Sequence, residues 1–364
     1  MSGDRPMPTE RSPNEKYALP EGAATPCFVV FEDVVRANLR RTIEASGGAS
    51  RLMPHVKTHR AAWIVRLFTA HGVTNFKCAT PAEVELLLGA GASHVVWAYP
   101  TPNRANIRRV VEAAGRFPDA RVAGMADGWT SLEAWESALT DAPENVRLRI
   151  DLDPGMGRSG IALTEEAVEL SRRAHATGRF DGWHYYDGHN RGPVQGRQEA
   201  VGRMSDRLDR FLRDAAEAGV PGDVVAGGSY SFNLWRHPSI SYVSPGSFTY
   251  SSTQHENELP ELGWEPAAFV LASVVSVHEG TATLDAGAKA ISPDKPLKDR
   301  FRGPGRIILM NEEHCVIEAS DLSVGDQVYL LPGHACTTAY LYDRALVRTA
   351  EGGWESRPQL GSAR

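Results

Sequence analysis

From residue 25 to about 250, short β-branched runs alternate with longer amphipathic stretches. That alternation restricts the chain to βα units built on a parallel sheet. The first run is TPCFVVF at 25–31, and eight more follow: RLMPHV, NFKCA, HVVWAYP, RVAGMA, VRLRIDLD, FDGWHYY, DVVAGG and SISYVSPG. Eight strands with intervening helices over roughly 200 residues fit a closed (β/α)8 barrel of the TIM type, with an open doubly wound sheet as the alternative. One helix start is legible in detail. Thr80 is placed to cap, Pro81 takes the first helical position, and Glu83 stands where a capping box needs it. Leu87 and Leu88 follow, and GAG at 89–91 ends the helix. Helical periodicity also marks 103–117 and 164–178.

Around residue 265 the texture changes. FVLASVVSVHEGTATLDAG, GRIILMNEEHCVIEAS and VGDQVYLLPGH are strand runs separated by turn residues, with little helical periodicity. The sequence therefore predicts a flexible polar tail over 1–20, the barrel over 21–262 and a C-terminal all-β domain over 263–364. SSTQHENELPELGWE, at 251–265, reads as a linker or an active-site lid.

Charge and composition narrow the partners. The net charge is −6 with both signs mixed along the chain, so no basic stripe serves a nucleic acid. The polar, proline-bearing N-terminus lacks a signal-peptide core, and no apolar run approaches the ~18 residues of a membrane span. The expectation is a soluble cytoplasmic protein. Its four cysteines, Cys27, Cys78, Cys315 and Cys336, are too scattered for a disulfide framework, so reduced thiols are expected.

In a (β/α)8 barrel chemistry collects at the C-terminal ends of the strands. Lys57 follows the first barrel run, Arg158 follows RLRIDLDPGMG, and Tyr185, Tyr186 and His189 close GWHYYDGH. Gly227, Gly228 and Ser229 follow DVVA, and Gly246 and Ser247 follow the last run. Glycine turns after the seventh and eighth strands let backbone N–H groups approach an anion, which implies a phosphate-bearing cofactor. By position alone Lys57 reads equally as a solvated lysine or as a desolvated amine able to form an imine. Phosphate plus imine-forming lysine points to pyridoxal phosphate (PLP). Near the C-terminus, His334 and Cys336 stand two apart, which on an extended segment aims both side chains to one side. Imidazole and thiolate together suit zinc, with manganese or magnesium as alternatives, and two protein ligands leave coordination positions open.

Taken together, these residues resemble the fold-type III, alanine-racemase-like PLP enzymes, and within them the D-threonine aldolase and D-serine dehydratase group. The carrying motifs are MPHVKTH, CATPAEVELLLGAG, GRSG, YDGH, GGS, SPGSF and the C-terminal H-x-C, spread over nearly the whole chain. The resemblance implies that 25–31 joins the C-terminal β-domain and that Lys57 carries PLP. It gives Arg158 to the phenolic oxygen, Tyr186 or its neighbour Tyr185 to the ring, and Gly228, Ser229, Gly246 and Ser247 to the phosphate. His334 and Cys336 would bind a divalent metal beside a D-amino acid substrate, in a dimer whose partner completes the site. One departure is Phe248, where many relatives carry tyrosine, so this position supplies no hydroxyl.

The implied reaction is lyase chemistry on a D-3-hydroxy amino acid. In a dehydratase of the D-serine or D-3-hydroxyaspartate type, Lys57 takes the Cα proton while the metal assists departure of the β-hydroxyl. In an aldolase a base, His59 or His189, takes the β-hydroxyl proton and the Cα–Cβ bond breaks. H-x-C resembles the dehydratase pattern, since familiar bacterial aldolases place a carboxylate at its second position. A racemase without a metal and a non-catalytic PLP carrier are more distant alternatives.

Overall fold

The computed structural model describes residues 17–364. The expected tail over 1–20 falls mostly outside them; Tyr17 stacks on Phe31 with ring centroids 4.1 Å apart. β1 (Cys27–Phe31) runs straight into α1 (Glu32–Ser46). The chain then builds a parallel sheet from β2 (Asn75–Cys78), β3 (His94–Trp97), β4 (Arg121–Ala126), β5 (Val146–Asp153), β7 (Phe180–Tyr185), β8 (Val224–Ala226) and β9 (Ile240–Val243), neighbours in that order. A two-residue strand, β6 (Ile161–Ala162), pairs beside the end of β5.

The eighth stave is residues 52–55, and it is irregular because Pro54 has no N–H to give to a ladder. On one side Met53 N–H donates to Val243 O at 2.9 Å and His55 N–H to Pro245 O at 3.0 Å. On the other, Lys77 N–H donates to Pro54 O at 3.0 Å. These bonds close the barrel, so the doubly wound alternative falls. Inside it Met53, Val96, Ala123, Met125 and Val225 pack as a separate buried cluster, a filled core rather than a pore.

The outer ring is α2 (Ala62–Thr69), α3 (Pro81–Gly89), α4 (Arg104–Gly115), α5 (Trp129–Leu139), α6 (Glu165–Ala176) and α7 (Val194–Glu217). The start of α3 is as expected: Thr80 Oγ1 accepts from Glu83 N–H at 3.2 Å. The Glu83 carboxylate reaches back to Ala79 N–H at 2.7 Å, one residue before the usual capping-box partner, because its other oxygen holds Arg60.

The 251–265 segment contains a short helix, α8 (Thr253–Glu258), and leads into β10 (Ala268–His278). β11 (Thr281–Leu284), β12 (Phe301–Arg302), β13 (Arg306–Met310), β14 (Cys315–Glu318) and β15 (Gln327–Pro332) follow. After the short α9 (Ala335–Ala339) come β16 (Arg344–Arg348) and β17 (Trp354–Pro358). The second sheet runs β13-β14-β11-β10-β1-β16-β17, with β15 flanking β10 and β12. β1 therefore lies in this sheet, antiparallel to β10 and parallel to β16. The four cysteines are free thiols. No helix among the described residues is long and apolar enough to cross a membrane.

Candidate active site

A cavity of about 740 Å³ opens at the C-terminal end of the barrel, with walls from both domains. Lys57 enters it from a single 3-10 turn, Val56–Thr58, that follows the eighth stave. The sequence placed this lysine directly after the first barrel run. The proline-broken stave ends before it, and His55 caps the turn by accepting Lys57 N–H on Nδ1 at 3.2 Å. His55 shares the cavity wall with Lys57.

Strand parity decides between the two tyrosines. Along β7 side chains alternate, so His184 and Tyr186 turn inward while Trp183 and Tyr185 turn outward. Tyr185 is wholly buried outside the barrel, its ring edge on Trp235 and its hydroxyl at 3.5 Å from Met204 O. It is therefore removed from the cofactor-contact set. Tyr186 lines the cavity. Its ring fills space that only glycine leaves open: a Cβ at Gly188 would lie 2.4 Å from it and one at Gly228 2.7 Å. The Arg158 guanidinium sits 5.0 Å from the Tyr186 ring centroid, at an exposed position outside the cavity wall.

The two glycine turns meet. Ser229 Oγ accepts Gly246 N–H at 3.3 Å and Ser247 N–H at 3.2 Å, and all three residues border the cavity with Gly228. Gly246 cannot carry a side chain here, because its Cβ would stand 2.8 Å from His55 O. Main-chain N–H groups gathered by one hydroxyl, with no Cβ in the way, are a cradle that fits a phosphate. Phe248 stacks in the core on Phe68, 5.5 Å away.

From the β-domain come His334 and Cys336, and both border the same cavity. Their geometry is not the extended one expected. His334 precedes α9 in an extended conformation and Cys336 lies in the helix's first turn, so a helix start brings them together. His334 Nδ1 is 2.5 Å from Asp294 Oδ2, and the Cys336 thiol is 3.3 Å from Thr58 Oγ1, next in chain to Lys57. Burial works to neutralise both groups. Against it, the thiolate and Asp294 raise His334 to about 9, and the imidazolium holds Cys336 below its ordinary value. A thiolate, and an imidazole whose other nitrogen is held by a carboxylate, are donors that fit a divalent metal. Among the described residues no group of three or more His, Cys, Asp or Glu converges on one point.

Neither proposed histidine base lies on the cavity wall. His59 is buried against Phe68, its Nδ1 accepting Ala61 N–H at 3.2 Å, and burial lowers it to about 3. The 3-10 turn carries the chain through a tight bend, so His59 no longer shares a face with Lys57. His189 is exposed on the turn at 187–190. Besides His55 and His334, the imidazole lining the cavity is His255 on α8, bonded to Ser252 Oγ at 2.9 Å and lowered by burial to about 3. The segment read as a linker or lid thus supplies wall residues.

One group was passed over in the sequence. Lys77, in the middle of β2, is 2 % exposed and points into the barrel. Its ammonium stands 2.6 Å from Ser244 Oγ, 3.3 Å from His184 Nε2 and 4.7 Å from the Tyr186 ring centroid. His184 in turn holds Asp151 at 2.7 Å. A lysine inside a four-residue buried strand was the available signal. Burial, reinforced by the charge of Lys57, lowers Lys77 to about 7. The folded chain therefore binds fewer protons than the unfolded one between pH ~7 and ~10.4. Stability from this site is present above that window and is lost as pH falls through it. Lys77→Met takes one partner each from His184 and Ser244, which keep Asp151 and Gly227 O, at a constant cost but removes the pH-dependent penalty. The Tm of K77M relative to wild type should be most favourable at pH 7 and decline toward pH 9.5; a pH-independent difference would reject the lowered pKa.

Residues 32–254, more than half of the chain, match the family described as "Alanine racemase, N-terminal domain". The chain belongs to that family of PLP enzymes. Residues 267–348, which include His334 and Cys336, match a "Putative serine dehydratase domain". A 3-hydroxy-D-aspartate aldolase from Paracoccus denitrificans is 27% identical over 340 residues, covering 88% of this chain and 87% of that protein. A D-threo-3-hydroxyaspartate dehydratase from Delftia sp. (strain HT23) is 24% identical, covering 91% of this chain and 96% of the relative. The crystal structure of D-threonine aldolase from Filomicrobium marinum shares the fold at a TM-score of 0.82 and 24% identity, over 93% of this chain and 95% of that one.

Proposed function

We propose that this family member is a PLP- and divalent-metal-dependent lyase acting on D-3-hydroxy amino acids, with dehydration as the preferred reaction. One observation carries it: a single cavity joins the Lys57 amine to the His334 and Cys336 pair, and Thr58 links the two at 3.3 Å from the thiol. Bound PLP supplies an electron sink for charge developing at the substrate's Cα. In this reading Lys57 carries the cofactor, and the main-chain N–H groups of Gly246 and Ser247, with Gly228 and Ser229, hold its phosphate. Tyr186 packs beside the ring, and Arg158 approaches it over Tyr186. His334 and Cys336 would hold a divalent metal, zinc by their donor softness. With both groups bound, Lys57 would take the Cα proton, and a metal held by His334 and Cys336 would supply Lewis-acid assistance to departure of the β-hydroxyl.

A second reading is retro-aldol cleavage, favoured by the 27% identity to a 3-hydroxy-D-aspartate aldolase. Its proton acceptor is the weak point, since His59 is turned away and His189 is exposed on its loop. Product analysis with D-serine, D-threonine and D-threo-3-hydroxyaspartate separates the readings. A 2-oxo acid with ammonia is the expected result, glycine with an aldehyde supports the aldolase, and racemised substrate alone rejects both. The same reading takes the protein to be a cytoplasmic homodimer.

A further inference from the structure

Cationic side chains border the cavity on several elements, and two of the arginines are already matched. Arg60 is buried against Glu83 at 2.9 Å. Arg191 lies 3.4 Å from Glu258 and donates to the Tyr230 hydroxyl at 2.9 Å. Lys295 differs. Among the described residues its ammonium has no carboxylate partner, and its one hydrogen bond goes to Gln254 Oε1 at 2.8 Å.

That bond joins the two domains and is fixed on the barrel side. Gln254 Nε2 donates to the Tyr230 hydroxyl at 2.7 Å, which sets the amide's orientation, and Tyr230 donates to Glu258 at 2.5 Å. Lys295 therefore presents a half-buried ammonium with two N–H groups left over, where partial loss of water strengthens attraction to an anion. Its place in the cavity is equally defined. The preceding residue, Asp294, holds His334 at 2.5 Å and accepts from Thr337 Oγ1 at 3.2 Å, so Lys295 stands at the His334 and Cys336 end.

Resting on the function proposed above, that end receives the substrate's Cβ. The carbon bearing the β-hydroxyl carries one further substituent that distinguishes the substrates: hydrogen in serine, methyl in threonine, carboxylate in 3-hydroxyaspartate. Only the carboxylate can use an unmatched ammonium. We infer that Lys295, held by Gln254, selects substrates with a carboxylate on Cβ, so that the preferred class is D-3-hydroxy dicarboxylic amino acids.

The test compares kcat/KM for D-threo-3-hydroxyaspartate, D-serine and D-threonine in the PLP- and metal-loaded wild type, Lys295→Met and Lys295→Arg. Wild type should prefer the dicarboxylate. K295M should cut that preference by about 10- to 100-fold, the scale of one hydrogen-bonded charge. The loss should appear in KM for the dicarboxylate, and K295R should recover most of it. Succinate, which cannot react, should inhibit wild type competitively and K295M far more weakly. No preference in wild type, equal losses on all three substrates, or unchanged succinate inhibition overturns the inference while leaving the lyase reading intact. Absence of turnover on every substrate by loaded wild type overturns both.

Discussion

Lys57→Met should lose lyase turnover by at least about 10³-fold, within the range that one positioned proton-transfer group supplies before the lost covalent tether is counted. The loss should come without unfolding. The Lys57 side chain is exposed in the cavity and its ammonium makes no hydrogen bond among the described residues; only its main-chain N–H is engaged, with His55. A substitution that leaves the backbone bond in place should change stability by roughly 0.5 kcal/mol or less. Thermal unfolding of wild type and K57M, both without added PLP, should therefore nearly coincide. A large fall in Tm would mean that Lys57 holds structure, and retained turnover would remove it from the chemistry.

The second large effect concerns His334 and Cys336. Chelation followed by verified metal removal should abolish lyase activity, and zinc or manganese should restore it. Cys336→Ala should do the same permanently, since one of the two proposed protein donors would be gone. Asp294→Ala should fall between. Asp294 accepts the hydrogen bond that fixes the His334 ring, and losing such a partner typically weakens metal binding by about 10- to 100-fold. D294A should thus regain activity as metal is raised, whereas C336A should not. Full activity in verified metal-depleted enzyme would reject the metal's role.

Much of this architecture could be read from the sequence because most barrel strands are short apolar runs bounded by turn residues, and the structure places a strand or stave at all eight. Local chemistry resolved finer points too, as at Thr80, Pro81 and Glu83. What was not legible depended on register and backbone direction. Whether Tyr185 or Tyr186 faces inward is a question of parity, and two adjacent aromatics give no sequence cue to it. The fit of Tyr186 becomes visible only when Gly188 and Gly228 are seen against its ring.

The H-x-C pair was found for a reason that proved wrong: 335–339 is a helix, not an extended segment, and the two side chains still meet because His334 sits just before its start. His59 failed for a related cause, since the turn after Pro54 rotates its side chain away from that of Lys57. Lys77 and His184 were hidden because they lie one layer beneath the cavity, where only the closed barrel brings strands β2, β5 and β7 together. Lys295 and Gln254, 41 residues apart, meet only once the β-domain has docked.

The central claim is that Lys57, rather than any other lysine, is the amine that carries PLP. Lys77 is its natural competitor, being buried nearby with its proton affinity lowered to about 7. Borohydride reduction of the PLP-loaded protein, followed by peptide mass spectrometry, decides between them. The account predicts one phosphopyridoxyl group per chain, on Lys57; the same mass on Lys77, on another lysine or on none would contradict it.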